Sequence, residues 1–106
     1  MAITIAVNVT KTSGPSPLGV TFDASGTTST ATARPFFDCL YSWTFTPSAN
    51  VVALTNKPAA DMSVAYGPIV SRVFTGNVTA DLTVTEPGGA TAAWSQAITV
   101  AAETTY

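Results

Sequence analysis

Apolar and hydroxyl-bearing residues alternate with a period of two along most of this 106-residue chain. Successive side chains of an extended strand point to opposite faces, so such a pattern offers one face to a core and the other to water. Val78, Ala80, Leu82 and Val84 alternate with Thr79, Asp81, Thr83 and Thr85, and the turn signal Glu86-Pro87-Gly88-Gly89 follows. A second alternating run from Ala90 to Val100 completes a predicted hairpin. In that run Ala92, Trp94, Gln96, Ile98 and Val100 share one parity, so the polar Gln96 predicts either a bulge or partial exposure.

The remaining runs repeat the theme. Ile3, Ile5, Val7 and Val9 alternate with Thr4, Ala6, Asn8 and Thr10, and the Gly- and Pro-containing stretch at 12–17 ends that strand. Leu18, Val20, Phe22 and Ala24 share a face before the turn at Ser25-Gly26, which Asp23 supports. Residues 27–36 read as a long polar loop. The clearest strand is 40–46, with Tyr41, Trp43 and Phe45 on one face and Trp43 as the expected centre of the core. A short strand at 51–54 and weaker ones at 63–65 and 69–74 follow. About seven strands separated by turns every 8 to 12 residues predict one all-β domain over 1–106, an antiparallel sandwich rather than a closed barrel. Its core is expected to hold Phe22, Tyr41, Trp43, Phe45, Leu82 and Val84.

Composition narrows the chemistry. The chain carries 4 basic and 6 acidic residues, a formal net charge of -2 and a pI near 4.5. A nucleic-acid partner is not expected, because displacing counterions from phosphates takes several cations. Histidine is absent and Cys39 is the single cysteine, which removes most zinc, haem and triad chemistry and any intramolecular disulfide. Serine and threonine, about a quarter of the chain, supply the polar surface in place of charge. No run approaches the length of a membrane span, and no signal peptide is visible. Six scattered carboxylates, Asp23, Asp38, Asp61, Asp81, Glu86 and Glu103, form neither a dense calcium loop nor a paired acid and base. Calcium is at most weakly supported, no cofactor is implied, and no enzymatic activity is expected. Cys39 reads as a small buried hydrophobe or an intermolecular thiol, and Asn8 and Asn77 begin glycosylation sequons.

The ordered set Ser13-Gly14-Pro15-Ser16-Pro17-Leu18-Gly19-Val20-Thr21-Phe22-Asp23-Ala24-Ser25-Gly26, Tyr41-Ser42-Trp43-Thr44-Phe45, Leu82-Thr83-Val84-Thr85 and Ile98-Thr99-Val100 resembles the polycystic-kidney-disease (PKD) domain family over nearly the whole chain. The resemblance implies an immunoglobulin-like β-sandwich, extracellular or surface-exposed. Such domains serve as non-catalytic modules beside polysaccharide-acting enzymes or proteases, or within surface proteins. The chain departs from the family pattern at Thr46-Pro47-Ser48, where a glycine-aspartate-glycine turn is usual, at Arg72, where a histidine is common, and in a longer segment at 27–37.

Three classes of function follow. The chain is expected to be an accessory or spacer module joined to flanking domains. A carbohydrate- or protein-binding module would instead need an exposed patch built from Phe36, Phe37, Tyr66 or Trp94. A structural or decoration subunit of a virion or surface assembly would dock through an uncovered strand edge.

Overall fold

A computed structural model describes residues 3–53 and 58–101, with Phe36, Phe37, Ala59 and Ala60 described by their backbone alone. Its strands are β1 (Ile3–Thr4), β2 (Asn8–Val9), β3 (Ser13–Pro15), β4 (Leu18–Asp23), β5 (Thr28–Ser29), β6 (Leu40–Thr46), β7 (Val64–Tyr66), β8 (Ile69–Phe74), β9 (Val78–Thr85) and β10 (Thr91–Ala101). Two one-turn helices, α1 (Pro35–Asp38) and α2 (Ala59–Met62), flank β6 and β7. A five-stranded sheet in the order β3-β10-β9-β6-β7 and a three-stranded sheet β2-β4-β8 hold most of the core between them, and β1 pairs with β5. The molecule is thus an all-β, sandwich-like fold of mostly antiparallel strands.

Alternation dictates which side chains meet between the sheets. β9 buries Val78, Ala80, Leu82 and Val84 and exposes Thr79, Asp81 and Thr83. β6 buries Tyr41, Trp43 and Phe45, and β4 answers with Leu18, Val20 and Phe22. The Phe22 ring stands 5.5 Å from Trp43, 5.3 Å from Phe45 and 6.3 Å from Phe74, so one phenyl group joins both sheets. The Trp43 indole is fully buried, and its Nε1–H donates to the Gly67 carbonyl at 2.7 Å. A buried indole without that partner would leave an unsatisfied donor. Gly67 can sit there because its φ of 108° belongs to a region that side chains with a Cβ avoid.

The structure differs from the sequence reading at several points, each with a local cause. The expected first strand is divided because its partner β4 ends at Asp23, so Ala6 N–H donates to the Thr27 hydroxyl at 3.1 Å instead of to a ladder. The stretch expected to break the chain forms β3, which pairs parallel with the end of β10. Pro15 is tolerated there because β3 is an edge strand. The polar loop contains β5 and α1; Pro35 starts that helix, where a missing N–H costs nothing. The strand expected at 51–54 is reduced to one bridge, Val51 to Phe74, and Leu54 lies outside the described residues. Gln96 stays in register opposite Ala80 and is partly exposed, without a bulge.

Truncating the shared aromatic contact is expected to be costly. Phe22→Ala should lower the unfolding free energy by about 3–5 kcal/mol, whereas Thr83→Ala on the solvent face should change it by less than about 0.5 kcal/mol. Urea unfolding followed by tryptophan fluorescence measures both.

Candidate functional site

The aromatic residues singled out as a binding surface divide between two faces of the five-stranded sheet. Tyr66 is 68% exposed at the end of β7, on the outer face, in a row that runs Ala93, Thr83, Ser42, Tyr66. The backbone of α1 precedes β6 at the same end of the sheet, held by the Tyr41 hydroxyl donating to the Pro35 carbonyl at 3.1 Å. The side chains of Phe36 and Phe37 lie outside the described residues. Trp94 belongs to the inner face: it is half-buried, edge-on to Trp43, with ring centroids 6.1 Å apart at 77°. Trp94 and Tyr66 therefore do not share a surface.

Register makes the outer face a grid of small polar side chains. Thr91, Thr85 and Leu40 form one row, Ser95, Asp81, Thr44 and Val64 another, and Ala97, Thr79 and Thr46 a third. Asp81 is the only charged side chain in these rows. A shallow depression of about 360 Å³ lies over Ala93, bordered by Asp81, Thr83 and Ser95. A second groove of about 370 Å³ runs along β8, lined by Gly19, Thr21, Val52, Met62, Ser71 and Val73. Arg72 is the one titratable side chain among the described residues that line the groove, and Asp81 the one that borders the depression.

The carboxylates are engaged separately. Asp23 accepts from Ser25 N–H at 2.9 Å, and hydrogen bonds from Ser25 hold its carboxyl below the usual range. Asp38 accepts from the Thr32 hydroxyl and stands 4.0 Å from the Arg34 guanidinium. Glu86 is buried at the end of β9, with Oε2 bonded to the Ser29 hydroxyl and Oε1 without a hydrogen-bond partner. Among the described residues no group of three or more His, Cys, Asp or Glu side chains could hold a metal ion. Cys39 is buried, and its thiol is pushed up by burial, with further contributions from the Glu86 and Asp38 carboxylates. A raised thiol is a poor nucleophile at neutral pH.

Two structural residues escaped the sequence reading although their signals were present. The alternation that buries Val78, Ala80, Leu82 and Val84 extends to Glu86 at the same parity. Arg72 likewise has the inward parity of Val70 and Phe74. It lies at the seam between the sheets, donating through Nε to the Met62 carbonyl at 2.8 Å and through its terminal nitrogens to the carbonyls of Ser71 at 2.8 Å and Val64 at 3.3 Å. Burial lowers its guanidinium below the ordinary arginine value.

Compared with known proteins, the chain matches no family model and no curated protein.

Cys39 supplies a test of this electrostatic arrangement. At pH 8 the native thiol should react with an aromatic disulfide reagent at least about tenfold more slowly than in urea-unfolded chain. The folded thiol holds its proton more tightly than the unfolded one, so its contribution to stability is complete at neutral pH. That contribution should shrink as pH rises past the ordinary thiol value of 9.0. Chemical denaturation across that range detects the loss, and Cys39→Ala should flatten it.

Proposed function

We propose that this chain is a PKD-like, immunoglobulin-like sandwich that works as a non-catalytic accessory or spacer module of a secreted or surface protein. The observation that carries this reading is the placement of its described ends. Ile3 pairs with Ser29, whose hydroxyl bonds Glu86 at the start of the β9–β10 turn. Ala101 pairs with Pro15 at the far end of β10. The polypeptide therefore enters at one end of the sheets and leaves at the other, separated by the length of β10, about 33 Å at a strand's rise per residue. A module so threaded sets a distance between whatever is joined to its two ends.

The dispersed carboxylates, the raised thiol and the engaged Arg72 agree with a module that performs no chemistry. Sharing of the first part of the chain between the two sheets, with β2 on β4 and β3 on β10, is also compatible with an immunoglobulin-like arrangement. The resemblance to modules found beside polysaccharide-acting enzymes makes glycans the natural ligands to test.

Calorimetric titration with soluble β-glucan, xylan and chitin oligomers should give no saturable binding tighter than about 1 mM, corresponding to less than about 4 kcal/mol. Micromolar affinity lost in Tyr66→Ala or Phe36→Ala, with an unchanged melting curve, would overturn the spacer reading in favour of a binding module.

A further inference from the structure

The two long sheet edges are treated differently. The outer edge of β8 is covered: Val51 bridges Phe74, Val52 N–H donates to the Val73 carbonyl at 2.9 Å, and Thr75 N–H donates to the Asn50 carbonyl at 2.8 Å. Among the described residues, β10 has no hydrogen-bonded backbone cover over its first part, although β1 lies near it. It pairs with β9 from Thr91 to Ile98 on one side, but with β3 only from Thr99 to Ala101 on the other.

Backbone direction identifies the unpaired groups. In a strand, the N–H and C=O of one residue point to the same side, and the next residue's point to the other. Thr99 N–H donates to the Thr12 carbonyl and the Ala101 carbonyl accepts from Ser16, so odd-numbered residues of β10 face the β3 side. Val100 N–H donates to Asn77 Oδ1 on the β9 side, in agreement. The N–H and C=O groups of Thr91, Ala93 and Ser95, and the N–H of Ala97, thus point off the open edge. The Ala97 carbonyl accepts from the Gln96 side chain at 2.8 Å.

We propose that the open edge of β10 pairs antiparallel with the same edge of a second copy of this chain. The free segment, residues 91–97, is centred on Trp94. A two-fold axis at that residue sets Ala93 opposite Ser95 of the second copy and Thr91 opposite Ala97, each pair exchanging N–H to C=O hydrogen bonds. Gln96 releases the Ala97 carbonyl as the partner strand arrives. The two half-buried Trp94 side chains meet as a cross-strand pair on the inner face, at the close spacing of a position without hydrogen bonds. The two five-stranded sheets become one continuous sheet.

Charge and shape admit a second copy. Residues 87–101 contain no ionisable side chain, so like edges approach without local repulsion, and the formal net charge of each chain is only -2. Edge strands are commonly protected by lysine, proline or a bulge; residues 91–97 contain neither lysine nor proline, and their register with β9 is unbroken. The outward side chains Ala93, Ser95 and Ala97 are small enough for a partner strand to lie flush. This contact is independent of the spacer reading: a module without lateral pairing still spans its two ends.

Sedimentation velocity from about 10 μM to 1 mM should show concentration-dependent dimerisation, with amide exchange at Thr91, Ala93, Ser95 and Ala97 slowing as dimer accumulates. The double substitution Ala93→Lys with Ser95→Lys should weaken association at least about tenfold by placing cations along the edge. Ser95→Pro, which removes an N–H not used by β9, should do the same, and Thr83→Lys in the middle of the outer face should not. A single monomeric species throughout the range, or association unaffected by both edge changes or equally weakened by Thr83→Lys, overturns the proposal. Monomer behaviour with unprotected edge amides would leave the edge to a different strand or to solvent.

Discussion

The burial of one indole couples the parts of this structure. Trp43 lies on β6, between β9 and β7, stacks with Phe45 at 6.4 Å, meets Phe22 of the opposite sheet and takes the edge of Trp94 from β10. Its single polar atom is bonded to Gly67, in the turn that carries the chain from the five-stranded sheet to β8. The same turn is fastened to β4, because Pro68 accepts from Ala24 N–H at 2.8 Å. Displacing the indole would therefore disturb the aromatic contact between sheets and the connection between them together. With few charges available, dispersion and apolar burial are the main stabilising terms, and hydroxyls provide the local polar fastening.

That economy is visible at the seams. Where a larger charged network could close a sandwich, this chain uses Thr27 for Ala6, Asn77 for Val100 and Asn50 for Asn77. Each is a neutral side chain meeting a backbone group where the ladders stop. Arg72 is the exception, and its position explains why: it reaches the carbonyls of Met62 and Val64 across the gap between β8 and β7. A histidine has a shorter reach and fewer donors than the arginine fork. The arginine at position 72 thus has a structural use in this chain.

Period-two alternation made the long elements legible. β4, β6, β8, β9 and β10 and the parity of residues 3–9 could be read from it, because each long strand has one face against the core, whereas for Gln96 it left a bulge and partial exposure as alternatives. The short elements β3, β5 and α1 could not, since two to four residues establish no period and their pairing depends on distant partners. The candidate site was less accessible still. Tyr66 and Trp94 both looked unassigned in the sequence, but strand parity separates them: Ala65 on β7 pairs with Trp43 and is buried, which turns Tyr66 outward, while Trp94 pairs with Leu82 and faces inward. The turn signal Glu86-Pro87-Gly88-Gly89 draws Glu86 into the turn. Its parity, continuous with β9, was the better guide.

The two faces of β10 carry different physical obligations. Inward, Ile98 and Val100 are buried, while Ala92, Trp94 and Gln96 are only partly so, and burial therefore fades toward the start of the strand. Outward, threonine, serine and alanine present a surface with little charge. Pairing on the β3 side fades in the same direction, ending at Thr99. Incomplete burial and missing ladder bonds thus coincide at the start of β10, where one additional strand could relieve both. Neither β8, closed by Val51 and Arg72, nor the three-residue β7 combines those deficits. This coincidence distinguishes β10 among the described edges and makes its backbone, rather than an exposed aromatic side chain, the part of the sandwich best arranged to receive another chain.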